Sequence, residues 1–240
     1  MTEGRPNQLL GIIGGMSWES TVTYYQEINR RYRELRGGHH SAPVLVYSVD
    51  FAPIEAMQRS GDWPGTAQIL GSAAHALERA GATVLVLATN TMHLVFDELT
   101  RTVRLPWIHI ADATGEAVVR DGVQRVGLLG TRFTMEQPFY TDRLSARFGL
   151  DVVVPTEEDR RHVDEVIFSE LVHGRFTEES RDRFRSVMAR LVEAGAEAIV
   201  LGCTEIGLLV DAGDSPVPLY DTTRVHAAAA VEHLLARGGT

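Results

Sequence analysis

Apolar residues fall in eight short runs: Leu9–Ile13, Val44–Val49, Val84–Ala88, Trp107–Ile110, Val126–Leu129, Val152–Val154, Ile199–Leu201 and a piece near Val217–Tyr220. Each is rich in β-branched or aliphatic side chains and too short for a buried helix, which reads as a strand. The segments between them carry a helical period. Ala67, Leu70, Ala74 and Leu77 form one apolar face, and Phe184, Val187, Met188 and Leu191 form another within Arg181–Ala194. Strands alternating with helices imply parallel sheets with helical crossovers. The fold class is α/β.

The pattern occurs twice. AGATVLVLATNT from Ala80 aligns without a gap on AGAEAIVLGCTE from Ala194, which sets Thr89 opposite Cys203. LLGIIGGM from Leu9 resembles RVGLLGTR from Arg125, with Gly11 and Gly14 answering Gly127 and Gly130. The two matches come in the same order at nearly the same offset, so a duplicated α/β unit is expected. It divides the chain into residues 1–112 plus 222–240 and residues 113–221, with a last helix over about 222–236 returning to the first half.

Composition narrows the chemistry. A chain that is 44% hydrophobic and 23% charged is ordinary for a globular protein. A net charge of −9 argues against nucleic acid or an anionic membrane as the main partner. No apolar run approaches the roughly 18 residues of a spanning helix, and the polar start MTEGRPNQ is unlike a signal peptide. A cytoplasmic protein is expected. All 23 basic residues are arginine. Without lysine the chain cannot hold pyridoxal phosphate as a Schiff base or complete a Walker-type phosphate loop. Its one cysteine cannot form an internal disulfide.

Ligands of open parallel sheets sit beyond the carboxyl ends of the strands. Segments 14–17, 89–91, 130–131 and 203–205 follow strand ends and are read as opening helices, whose free N–H groups favour a small anion. Cys203 at such a position is expected to have a lowered thiol pKa. The pair Thr89 and Cys203 would flank one carbon on opposite faces, as stereoinverting proton transfer requires. Asp112 and Asp221 read as helix caps, His39-His40 as a loop, Trp18 and Trp63 as packing residues, and the Arg181–Arg190 stretch as a solvated face. No metal site is expected, since no second cluster of ligands has matching spacing.

GGMSWEST (Gly14–Thr21), SVDF (Ser48–Phe51), TNTMH (Thr89–His93), GLLGTRFTM (Gly127–Met135) and LGCTEIGLL (Leu201–Leu209) together resemble the cofactor-independent aspartate/glutamate racemase family over about residues 9–236. They are most similar to its broad or L-selective branch. The resemblance implies two pseudo-symmetric α/β domains, each a mostly parallel sheet flanked by helices. It places the active site in the cleft between them and implies a homodimer. It also implies that Cα of an acidic amino acid is deprotonated by one catalytic group and reprotonated from the other face. Family members commonly use two cysteines; here the second is Cys203 and the first position is Thr89. A threonine hydroxyl cannot rest as an alkoxide base, though it can pass on a proton. The resemblance further implies that Asn90, Thr91, Thr131 and Thr204 bind the α-carboxylate and that Met16, Ser17 and Gln58 face the side-chain end. His162 falls where a lysine for the distal carboxylate is common. Glu205, just after the cysteine, is placed either to tune it or simply to favour a helix N-terminus. Other one-cysteine carbanion chemistries remain open, namely a decarboxylase, an isomerase or a hydantoin racemase. So does a catalytically silent protein that binds acidic amino acids.

Overall fold

A computed structural model describes residues 8–238; the polar start at residues 1–7 lies outside the described residues. Contacts divide the chain into two compact units. The first comprises residues 8–88, 94–109 and those from 226 onward, and the second residues 89–93 and 110–225.

In the first unit β1 (Leu10–Gly14), β2 (Val44–Ser48), β3 (Val84–Leu87) and β4 (Trp107–Ile108) form a sheet of order β2-β1-β3-β4. Every pairing is parallel. The helices are α1 (Trp18–Arg36), α2 (Phe51–Ser60), α3 (Trp63–Arg79) and α4 (Phe96–Thr102). The second unit opens with α5 (Ile110–Arg120) and contains β5 (Arg125–Gly130), α6 (Arg132–Glu136), α7 (Pro138–Phe148) and β6 (Asp151–Val153). It continues through α8 (Glu157–Ser169), α9 (Glu178–Glu193), β7 (Ala198–Gly202), α10 (Ile206–Leu209) and β8 (Leu219–Asp221). Its sheet, β6-β5-β7-β8, is also parallel throughout. The last helix, α11 (Thr222–Gly238), lays Ala227, Ala230, Val231 and Leu234 against Leu10, Ile12, Val84 and Val86 in the core of the first unit.

All eight expected strands are present, with ends shifted by a residue or two. The inner strands β1, β3 and β7 are buried along their whole length. Burial on both faces is why they read as continuous apolar runs rather than alternating ones. The expected faces of α3 and α9 are the buried ones.

The repeat extends to single hydrogen bonds. The turn after α3 closes with Ala80 N to Ala76 O, Gly81 N to Glu78 O and Ala82 N to Leu77 O. The turn after α9 closes with Ala194 N to Arg190 O, Gly195 N to Val192 O and Ala196 N to Leu191 O, each 114 residues later. Gly81 and Gly195 both take positive φ there, at 98° and 95°. Thr83 Oγ1 accepts Leu9 N–H in one unit, and the Glu197 carboxylate accepts Arg125 N–H at the matching place in the other.

Three surface expectations are corrected and a fourth is met. Trp18 is 65% exposed, because α1 turns Ser20, Thr21, Tyr24 and Ile28 inward. Asp112 does not act as a cap but takes Arg143 in a fork, at 2.6 and 2.8 Å, and also Arg147. The arginines of α9 are not a merely solvated face: Arg185 and Arg181 reach the buried Asp214, and Arg190 holds Asp159 with two bonds. Asp221 does cap α11, accepting Thr223 N–H at 2.9 Å. The loop at the end of β1 depends on Gly15. It has φ +95°, and a Cβ there would lie 2.2 Å from Val49 O. Its N–H donates to Thr21 Oγ1, whose hydroxyl in turn donates to Ser17 O. Among the described residues no helix is long and apolar enough to cross a membrane.

His226 on α11 is fully buried; Tyr24 Oη lies 2.8 Å from Nδ1 and Ile108 O lies 2.8 Å from Nε2. The carbonyl can only accept, so Nε2 carries the hydrogen and Nδ1 accepts from the tyrosine. Burial pushes the imidazole pKa down from 6.5 to about 4. The unfolded chain therefore binds a proton near pH 6.5 that the folded chain refuses, and this contribution is intact above pH 6.5 and lost as pH falls toward 4. The shift corresponds to about 3 kcal/mol. Urea midpoints of the wild type are expected to fall across that window, with His226→Gln flattening the loss; parallel profiles would contradict a neutral buried ring. Gly15→Ala is expected to destabilise by roughly 1–3 kcal/mol from the backbone alone, measured by the same unfolding curves.

Candidate active site

The candidate residues of the second unit gather where β5 and β7 end. Gly130 and Gly202 are register partners there, and a Cβ on Gly130 would come 2.8 Å from Gly202 O, so the strand ends approach more closely than side chains permit. Thr131 follows β5 and Cys203 follows β7. Thr131 caps α6 by accepting Thr134 N–H at 3.3 Å.

The segment Thr89–His93 is bonded to these strand ends. Thr91 Oγ1 lies 3.0 Å from Thr131 Oγ1. Asn90 Nδ2 donates to Thr222 Oγ1 at 3.0 Å, and that hydroxyl donates to Leu201 O at 2.8 Å, within β7. Because the Thr222 hydrogen is used on a carbonyl, its oxygen must accept from the amide, which fixes the Asn90 orientation. Asn90 Oδ1 is left buried with no hydrogen-bond partner. His93 holds the backbone of Thr89: its Nε2 accepts Ile110 N–H at 3.3 Å, so Nδ1–H donates to Thr89 O at 2.8 Å. Thr89, Asn90, Thr91, Thr131, Cys203 and Thr204 are all buried.

Cys203 corrects an expectation. Its thiol is pushed well up, not down: burial is the main cause, and the negative charge of Glu205 adds to it. A smaller contribution in the same direction comes from the charge of Asp164 on α8. A backbone hydrogen bond from Glu205 opposes these without prevailing. The expected helix dipole is weak because α10 is a single turn of four residues. The other expected helix starts are similarly slight, since Thr91–Val95 is a 3-10 turn and α6 has five residues. The N–H of Arg132 in α6 already donates to Asp164 Oδ1 at 2.8 Å. Only α1, entered through Ser17, is a long helix.

Glu205 is 3% exposed, and its Oε2 accepts both the Cys203 thiol at 3.1 Å and the Thr204 hydroxyl at 2.8 Å. Asp164 gave no signal in the sequence. It is one of five carboxylates on α8, with Glu157, Glu158, Asp159 and Glu165, and only the packing sets it apart. Burial raises its pKa.

Met16, Ser17 and Gln58 belong to the first unit, where all three are buried. Ser17 has a local role there, its Oγ accepting Ser20 N–H at the start of α1. His162 is not brought together with Cys203. It lines an open depression of about 590 Å³ with Asp159, Asp182, Arg183 and Arg190, on the outer surfaces of α8 and α9. Among the described residues no group of three or more His, Cys, Asp or Glu could hold a metal ion.

Comparison with known proteins agrees with the fold of two parallel sheets flanked by helices. The family model described as Asp/Glu/hydantoin racemase matches residues 13–230. A crystal structure from Yersinia pestis, of a candidate Asp/Glu racemase, is 48% identical and superposes with a TM-score of 0.88 over 95% of this chain and 99% of that one. An aspartate racemase homologue from Pyrococcus horikoshii is 37% identical, with a TM-score of 0.81 over 95% of this chain and 99% of that one. The broad specificity amino-acid racemase RacX of Bacillus subtilis is 22% identical across 95% of this chain and 99% of its own. Nearly end-to-end matches that include every loop described above establish that the chain belongs to the Asp/Glu/hydantoin racemase family.

Proposed function

We propose that the chain is a cofactor-independent racemase of acidic amino acids, working from the Cys203 sulfur on one face of Cα and the Thr89 side on the other. One observation carries this reading: the bonds from Asn90 through Thr222 to Leu201, and from Thr91 to Thr131, fasten the segment bearing Thr89 to the strand ends that bear Thr131 and Cys203. The repeat partners then belong to one unit although 114 residues separate them.

The chemistry follows from donors and acceptors. Loss of the α-proton leaves charge that must spread into the α-carboxylate, and preset hydroxyl donors lower that barrier. The Thr91–Thr131 pair is placed to supply such a hydroxyl, whereas the one hydrogen of Thr204 is already on Glu205 Oε2. Asn90 differs from the expected role. Its open atom, Oδ1, is an acceptor, which suits the α-ammonium group better than a carboxylate. A buried acceptor left unpaired is costly, so a donor on the ligand gains by meeting it. The resemblance alone supports Met16, Ser17 and Gln58 as side-chain contacts.

Enantiomers have equal free energy in water, so kcat/KM for net inversion must be equal in the two directions. Selectivity can then show only as exchange without inversion or as unequal saturation. Proton NMR in D2O of the L and D forms of aspartate and glutamate is expected to show loss of the α-proton signal with the wild type. Cys203→Ala should slow that loss by roughly 100-fold or more; an unaffected rate would remove the thiol from the mechanism. Thr89→Cys should raise inversion relative to exchange about tenfold in a chiral assay, because a thiol is a far stronger acid than a hydroxyl. Carbon dioxide release from a substituted malonate, without amino-acid exchange, would replace this reading with the decarboxylase.

A further inference from the structure

The proposed reaction needs a sulfur able to take a proton, whereas Cys203 is held as a thiol with its hydrogen on a carboxylate. Three consecutive buried side chains meet at one oxygen, Glu205 Oε2, which accepts from Cys203 Sγ at 3.1 Å and from Thr204 Oγ1 at 2.8 Å. The turn itself fixes the pair, with Ile206 N donating to Cys203 O at 3.1 Å and Leu208 N to Glu205 O at 3.0 Å. Thr204 pins the oxygen in place, so the thiol hydrogen has a fixed acceptor. The other carboxylate whose charge reaches the sulfur, Asp164, is held by the backbone N–H of Arg132, with Glu136 and Arg132 as its charged neighbours.

We infer that Glu205 is a positioning residue for α-proton abstraction, its carboxylate taking the thiol hydrogen of Cys203 as the sulfur takes the α-hydrogen of the substrate. This rests on the proposed function. The S–H bond breaks and an O–H bond forms on Glu205 Oε2. The Cα–H bond breaks and a new S–H bond forms. The electron pair of the Cα–H bond stays on carbon and spreads into the α-carboxylate. In reverse the carbanion takes the hydrogen from sulfur, and sulfur recovers its own from Glu205. When the hydrogen on sulfur has first exchanged with solvent, deuterium enters Cα with configuration retained. Sulfur and carboxylate thus act as one proton acceptor, and a thiol that is poorly ionised at rest remains competent.

The test reads the free protein and the reaction separately. Alkylation of Cys203 by iodoacetamide is followed from pH 7 to 10 in the wild type, Glu205→Gln, Glu205→Asp and Asp164→Asn, beside α-proton exchange in D2O. Removing the adjacent charge should let Glu205→Gln ionise at lower pH and alkylate roughly threefold faster or more at pH 8. The same variant should lose exchange by about tenfold or more. Glu205→Asp should recover part of it. Asp164→Asn should ease ionisation but keep exchange, since that carboxylate only repels the thiolate. A more ionised sulfur with slower exchange is a result that a merely structural glutamate would not give. Wild-type exchange in Glu205→Gln, an unchanged alkylation profile there, or an equal loss in Asp164→Asn would overturn the inference. Exchange that persists in Cys203→Ala would overturn the proposed function instead. Should Glu205→Gln fail to fold, Glu205→Asp carries the same comparison, a wild-type exchange rate and profile counting against the inference.

Discussion

Burial of both faces of a parallel sheet is the constraint from which the rest follows. The inner strands β1, β3 and β7 are buried throughout and β5 is buried after its first residue, so polar side chains gather at the strand ends. Every candidate in the second unit except His162 lies at or is bonded to such an end. The strand ends also dictate the glycines. Gly130 and Gly202 approach too closely for a Cβ, and Gly15 turns the chain where only glycine fits without strain.

What holds the candidates is a set of neutral hydrogen bonds. Thr91 to Thr131 and Asn90 through Thr222 to Leu201 are bonds between buried hydroxyl, amide and carbonyl groups. Each contributes only about 1 kcal/mol net, but each partner would be expensive to leave unpaired. Such a set specifies geometry more than it adds stability, because displacing any one threonine strands another group. Asn90 Oδ1 stands apart, as a buried acceptor whose partner the protein does not supply.

Much of this was legible in the sequence where the signal is local. The eight strands and the faces of α3 and α9 follow from apolar spacing, and the repeat gave the pairing of Thr89 with Cys203. Electrostatics was not legible, because it depends on how long a helix runs and what packs beside it. Cys203 at a strand end suggested a lowered thiol pKa, yet α10 stops after one turn and Glu205 folds back onto the sulfur. Asp164 and Asp112 illustrate the same limit: both find their partners on other elements, 32 and 31 residues away along the chain. Trp18 misled for the opposite reason, since aromatic character says nothing of which way a helix turns.

The two repeats have diverged chemically while keeping their hydrogen bonds. One presents a hydroxyl at Thr89, the other a thiol at Cys203 that burial keeps protonated. Neither group is a base at rest, so a stereoinverting enzyme built on them must draw its basicity from a neighbour. Among the described residues only the cysteine's own turn places a buried carboxylate in direct hydrogen-bond contact with it, through the thiol at 3.1 Å. His93 bonds the backbone of Thr89 through a donor, Nδ1–H, and holds the residue in place without making its hydroxyl basic. On the proposed reading, proton removal is therefore favoured on the Cys203 face and proton delivery on the Thr89 face. That asymmetry leaves the equilibrium between enantiomers untouched, and it predicts that exchange on one face outpaces inversion.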